Sequence, residues 1–298
     1  MGIFDIINIP LGYLFRYIYM FLQNYGWTLV LFTLITKAIL LPLTIKQQKS
    51  MSKMQAIQPK LQELQKKYQY DKEKLNQETM KLYQSNDINP MSGCLPLLIQ
   101  FPVLIALYNI IRSPLTYVIQ LGKHGLPSIE EIHTALTALG STVSVKDQIG
   151  IAAEMTRLAD GLAEAFPGVD MLYIDFSFFG LNLSQTPSLS VLSPLLLIPV
   201  LAGLTTFLTS WLTTKMNGQS TANKDGAAGS MQMMTYFFPL MTVFFSVSLP
   251  AGLGFYWIIS NIVQIVQQYV MKICFPPTPL EEPVQKHFRE REAERRKK

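Results

Sequence analysis

Five apolar runs punctuate the chain: Gly26–Ile45, Leu95–Ile111, Leu189–Leu212, Met233–Leu249 and Leu253–Met271. Each holds roughly 17–25 residues, the length a helix needs to cross a bilayer core of about 30 Å. The second and fourth are short, and the second carries Pro96 and Pro102. Such spans suit a helical bundle in a locally thinned bilayer. The stretch Pro250–Gly254, within SLPAGLG, predicts a tight turn between the fourth and fifth. The fold class this predicts is an all-α polytopic membrane protein.

Between the first two runs the pattern changes from uniformly apolar to periodic. Met51, Met54, Ile57, Leu61, Leu64 and Tyr68 recur at three and four residues, one stripe of a helix. Leu75, Thr79, Leu82 and Tyr83 form a shorter stripe. Asp71 is placed to cap the second helix, and Asn86–Pro90 stops it. Residues 46–91 therefore predict a helical hairpin, with Pro59 expected to kink or interrupt its first helix. Met51, Met54, Leu61, Leu64, Leu75 and Leu82 are its candidate contact residues, because methionine adapts to varied surfaces. A hairpin that buries its own stripe would show the same pattern.

Residues 1–25 carry Leu11, Leu14, Phe15, Ile18 and Phe21 at helical spacing and predict an amphipathic helix lying at the outer membrane interface. They offer neither a basic leader nor a small-residue cleavage site, so a removable signal is not expected. The long segment 112–187 predicts modest helices in IEEIHTALTALG and VKDQIGIAAEMTRLADGLAEAF. Its MLYIDFSFFGLNL stretch reads as a return onto the membrane surface. Residues 213–232 include NGQSTANKDGAAGS, the composition of a flexible linker.

Composition supports a membrane setting: charged residues are 15% of the chain, with 17 Phe and 14 Met, and the mean hydropathy is +0.23. Charge sets orientation. Lys46–Met91 holds nine lysines against five acids, Arg112–Pro187 four basic residues against eight acids, and the tail 272–298 eight basic residues against five acids. The hairpin and the tail are therefore expected in the cytoplasm, and 112–187 and the N-terminus outside. Cys94 and Cys274 fall near the cytoplasmic edges, as free thiols packed like small hydrophobes. His124, His133 and His287 lie far apart in loops, so no metal site is expected.

Lys37 is the only charged residue within the five runs, which contain no Asp or Glu. A lysine at the bilayer centre costs about 2.5–3.5 kcal/mol on insertion scales and faces a bundle interior or water. Snorkelling would have to cover the roughly 12 Å of helix between Lys37 and Ile45. The fifth run places Trp257, Asn261, Gln264 and Gln268 on one face, with Ser260 beside them. The second run adds Gln100 and Tyr108, and the third adds Thr205, Thr206, Thr209, Ser210 and Thr213. Polar faces at this depth either join helices by hydrogen bonds or line a wet cavity. The candidate cavity residues are Lys37, Gln100, Thr209, Trp257, Asn261 and Gln264. No Ser–His pair or Asp pair lies in the runs, so an intramembrane protease is not expected, and five unequal spans do not divide into inverted repeats. Two classes remain, a groove that handles polypeptides and an anion or small-solute pathway.

Three ordered segments carry a family resemblance: ILLPLTIKQQKSMSKMQAIQPKLQELQKKY (39–68), KEKLNQETMKLYQSNDINPMSGCLPLLIQFPVLIALYNIIR (72–112) and FPLMTVFFSVSLPAGLGFYWIISNIVQIVQQYVM (238–271). The sequence resembles the YidC/Oxa/Alb membrane protein insertases in their short five-span Gram-positive form. That resemblance implies five helices around a hydrophilic groove open to the cytoplasm, with a cytoplasmic hairpin. It implies insertion of nascent membrane proteins in the bacterial plasma membrane, alone or with the Sec translocon, without nucleotide or cofactor. Contacts of the basic tail and hairpin with the ribosome, and of both with anionic lipids, are implied partners. The family's groove charge is typically arginine, and Lys37 stands in that place. A lysine keeps its charge only where it is hydrated, so the groove is expected to be wet. The segment Gly122–Pro167 is longer than the family pattern and takes no role from it.

Overall fold

The computed structural model describes residues 5–86, 88, 95–188, 193–216 and 227–274. The chain is mainly helical, in two compact units. The first comprises Met1–Ala38, Ile99–Leu208 and Tyr236–Val263; the second comprises Ile39–Leu98, Thr209–Thr235 and Gln264–Lys298.

Helix α1 spans Asp5–Leu22. Helix α2 runs without a break through Tyr25–Lys67, 43 residues that include Pro42 and Pro59. At 1.5 Å per residue this is about 65 Å, twice a bilayer core. Of the kink or interruption expected at Pro59, an interruption does not occur. A proline removes one backbone donor, and the turns on either side keep their own bonds. Segments Tyr25–Met54 and Pro194–Lys215 are long and apolar enough to cross a membrane among the described residues.

In the second unit, helix α3 (Lys72–Ser85) follows a turn at Tyr68–Tyr70. Asp71 caps it by accepting from the Lys74 backbone N–H at 3.0 Å. Ile57, Leu82 and Ile88 form a small core against which Met54, Leu61, Leu64 and Tyr83 pack. The helical hairpin thus closes on its own apolar stripe.

In the first unit, helix α4 covers Leu95–Arg112, and a π-helical turn follows at Leu115–Ile119. Three short helices come next: α5 (Ile129–Ala138), α6 (Gln148–Arg157) and α7 (Ala159–Ala165). Ser128 and Glu131 make a capping box at the start of α5. Strands β1 (Ser177–Phe178) and β2 (Leu181–Asn182) form an antiparallel hairpin. This hairpin lies within 171–183, the stretch read from the sequence as a return onto the membrane surface.

The segment between α4 and β2 is folded onto α1. Arg16 donates from Nη1 to the carbonyls of Val118 at 2.9 Å and Ile119 at 2.5 Å. Tyr19 donates to the Tyr173 carbonyl at 3.0 Å and accepts from the Asp175 backbone N–H at 2.9 Å. Gly12 lets the Tyr117 backbone approach, since a Cβ there would stand 2.9 Å from its carbonyl oxygen. One core joins these parts, with Phe15, Leu29, Phe32, Ile119, Ile132, Ile151 and Leu162 fully buried.

Helix α8 (Leu197–Met216) enters through a 3₁₀ turn at Pro194–Leu196, followed by α9 (Ala227–Ser248) and α10 (Ala251–Cys274). Three sequence expectations need correction here. The turn before α10 is confined to Leu249–Pro250, so Ala251–Gly254 are already helical. Ala227–Ser230 belong to α9 rather than to a linker, while 217–226 lie outside the described residues. Cys274 is exposed at the end of α10 rather than packed, and Cys94 lies outside the described residues.

Candidate functional site

Helix α2 brings Lys37 into the first unit on an otherwise apolar stretch. Thr33 donates to the Leu29 carbonyl at 2.6 Å and Thr36 to the Phe32 carbonyl at 2.9 Å, so both hydroxyl protons are spent on the helix itself. The half-buried Lys37 donates from Nζ to Gln100 Oε1 at 3.5 Å, the long limit of a hydrogen bond.

Gln100 stands on α4 and has two ends to satisfy. Its oxygen faces the ammonium, and its Nε2 donates to the Tyr256 hydroxyl at 2.6 Å. A cation on one side fixes which end of the amide turns toward it. Tyr256 is 1% exposed, and the buried Ser260 lies one turn along α10. The result is a polar line of three side chains, Lys37–Gln100–Tyr256, drawn from three helices. In a weakly polarisable surrounding each link strengthens its neighbours.

The other expected cavity residues sit apart from this line. Asn261 donates from Nδ2 to the hydroxyls of Thr205 at 3.2 Å and Thr206 at 2.8 Å. Those hydroxyls donate in turn to the carbonyls of Leu201 at 2.8 Å and Ala202 at 2.7 Å. This link uses both threonine oxygens as acceptors and joins α10 to α8. Trp257 packs, partly buried, against the apolar core of the first unit. Thr209 and Gln264 fall in the second unit. There Gln268 donates to the Thr213 hydroxyl at 2.7 Å, a second link between the same two helices.

Of the hairpin's contact candidates, Leu82 is completely buried and Met54, Leu61 and Leu64 pack against its cluster. Met51 and Leu75 are half-buried and stand outside that cluster. Sequence reasoning missed Tyr256, which directly precedes Trp257 in the sequence. Its signal was available: Ser260 lies four residues on, the spacing of one helical face, and a buried amide at Gln100 needs a second partner. Among the described residues no cluster of His, Cys, Asp or Glu could hold a metal ion.

The family of the chain follows from comparison with known proteins. Residues 17–277 match the model of the 60Kd inner membrane protein family. The membrane protein insertase YidC of Fusobacterium nucleatum is 30% identical, over 91% of this chain and 97% of that protein. Its namesake in Clostridium perfringens is 33% identical, over 84% of this chain and 79% of that one. The insertase YidC 2 of Bacillus anthracis is 31% identical, over 88% and 78%. A crystal structure of an active YidC insertase, with its first transmembrane domain resolved, superposes with a TM-score of 0.51 at 25% identity. That match covers 90% of this chain and 47% of the solved one, so the chain spans about half of that protein's length. The class these matches define is the membrane protein insertases. The chain belongs to the 60Kd inner membrane protein family, as an insertase of YidC type.

Proposed function

We propose that the Lys37–Gln100–Tyr256 line belongs to a hydrated groove that receives short polar segments of nascent membrane proteins. The observation that carries the reading is the ammonium of Lys37 set against a neutral amide, in a helix segment that holds no other charged residue. An ammonium carries a full positive charge that neutral hydrogen-bond partners do not cancel, so it attracts a client carboxylate brought beside it. Trp257, next to Tyr256 on α10, completes the lining in this reading, while Asn261 fastens α10 to α8 at its border.

The groove is open to the cytoplasm, and five segments cross the membrane with the N-terminus outside. A nascent chain meets the hairpin and the basic tail, which also take up ribosomes or anionic lipid, and its acidic loop then enters beside Lys37. The client's apolar helix moves sideways into lipid, alone or after delivery from the Sec translocon. Attraction across a wet groove is worth about 1 kcal/mol per charge. It lowers a barrier, and burial of the client's own helix supplies the drive.

The test is reconstitution of the purified protein alone in liposomes with a two-span client. Insertion of that client without nucleotide is expected. Flux of small anions with no insertion would replace this reading with a solute pathway.

A further inference from the structure

The hairpin β1–β2 carries a feature that folding alone does not require. Phe178 pairs with Leu181 across a two-residue turn, Phe179–Gly180, in which both residues have positive φ, 48° and 77°. Such a turn favours Asn or Gly at its first position, because a Cβ crowds the backbone in the left-handed region. Here that position holds a phenylalanine, and its side chain is 82% exposed. The backbone bears a cost and the ring gains no burial within the chain.

The mount beneath it is rigid. Phe178 is 9% exposed and contacts the ring of Trp27 edge-on at 5.8 Å and the ring of Phe255 at 5.1 Å. Gly26 makes room for it, since a Cβ there would overlap the Phe178 ring. The strand after the turn is tied to the start of α10, where Gly252 donates to the Leu183 carbonyl at 2.8 Å and Ala251 to the Gln185 carbonyl at 2.8 Å. Phe179 therefore projects from a fixed platform at the first turn of α2. The ring of Phe178 lies between it and Trp27, itself 52% exposed.

We infer that Phe179 is an interfacial anchor, seated in the headgroup–acyl boundary of the phospholipid bilayer where the apolar segment of α2 begins. Two observations name lipid as the occupant: the exposed Trp27 on the same platform, a residue type that gathers at the membrane interface, opens a helix segment long and apolar enough to cross a membrane, and the exposed Phe179 beside it is an apolar ring of the kind that interfacial segments bury at the headgroup–acyl boundary. The inference rests on the reading that this segment of α2 crosses the bilayer.

The test uses the full chain with Cys94→Ser and Cys274→Ser, carrying one cysteine labelled with an environment-sensitive fluorophore, in phosphatidylcholine–phosphatidylglycerol liposomes. Phe179→Cys replaces an exposed side chain and leaves the core intact. The label at 179 is expected to be quenched at least twofold more by lipid with a shallow nitroxide than by lipid with a deep one. Aqueous iodide should quench it several-fold less than it quenches an exposed loop control, Lys123→Cys. Iodide quenching equal to that control overturns the anchor. Shielding from iodide without nitroxide quenching also overturns it, because protein would then cover the ring. A label at Leu34→Cys, on the exposed side of α2, separates the two readings. Deep-nitroxide quenching there with none at 179 removes the anchor alone, and no lipid quenching at either position removes the span as well.

Discussion

Two polar links cross between apolar helices in the first unit, and they differ in what they leave to do. The link from Asn261 to Thr205 and Thr206 is closed: each hydroxyl proton is committed to a backbone carbonyl one turn back and each oxygen accepts from the amide. It joins α8 and α10 as a clamp. The line from Lys37 through Gln100 to Tyr256 ends instead in a charged ammonium, whose Gln100 partner is neutral. Two sets of polar residues that look alike in composition thus separate into a fastening and a binding element.

The largest expected departure comes from reversing the charge. Lys37→Glu turns an attraction of about 1 kcal/mol into a repulsion of similar size, so insertion of a client with an acidic translocated loop should slow about 30-fold. A neutral client should be little affected. Lys37→Ala should give about half the free-energy effect. Equal slowing of both clients would make Lys37 a structural residue only, and the contrast with Asn261 would disappear.

Next in size is the middle of the line. Tyr256→Phe removes the acceptor of Gln100 Nε2 inside a buried setting, at about 1–3 kcal/mol. Thermal unfolding in detergent should register that loss, and Gln100→Leu with Tyr256→Phe should recover part of it, since no amide is then left unsatisfied. A double variant no better than the single one would contradict the hydrogen-bonded line. Asn261→Ala should cost about 1 kcal/mol, at roughly 0.6 kcal/mol per contact. The ratio of acidic to neutral client insertion should stay at the wild-type value. A shifted ratio would place Asn261 with Lys37 after all.

The smallest effect lies outside the membrane-spanning segments. The Glu131 carboxyl is held below its ordinary range by the Ser128 backbone N–H, which it accepts at 2.7 Å. A lowered folded value means that its contribution is full above the unfolded pKa of about 4.3 and fades as pH falls through the folded one. Amide exchange in α5, corrected for intrinsic rate, should rise slightly in that acid window and not in Glu131→Gln. A pH-independent exchange rate in the parent would remove the effect.

Much of this was legible in the chain. Helical periodicity marked the α2–α3 hairpin and the capping role of Asp71, because local spacing encodes local structure. The isolated charge at Lys37 and the polar Gln100 were also visible, since charged residues are rare in apolar runs. What spacing could not give was partnership between helices. Trp257, Asn261, Gln264 and Gln268 share one face of α10, yet the structure assigns Asn261 to Thr205 and Thr206 and Gln268 to Thr213. Tyr256, one residue from that face, reaches Gln100 instead. Pro59 left a kink and an interruption both open, and the helix runs through it because one missing donor is tolerated when the neighbouring turns hold.

The central claim is that Lys37 meets acidic client segments by charge, and a charge swap across protein and client tests it most directly. Insertion is measured in liposomes for wild type and Lys37→Glu, each with a client whose translocated loop carries two aspartates or two lysines. Wild type should favour the aspartate loop and Lys37→Glu the lysine loop, with the preference reversing by tenfold or more. The same preference in both proteins would contradict the account.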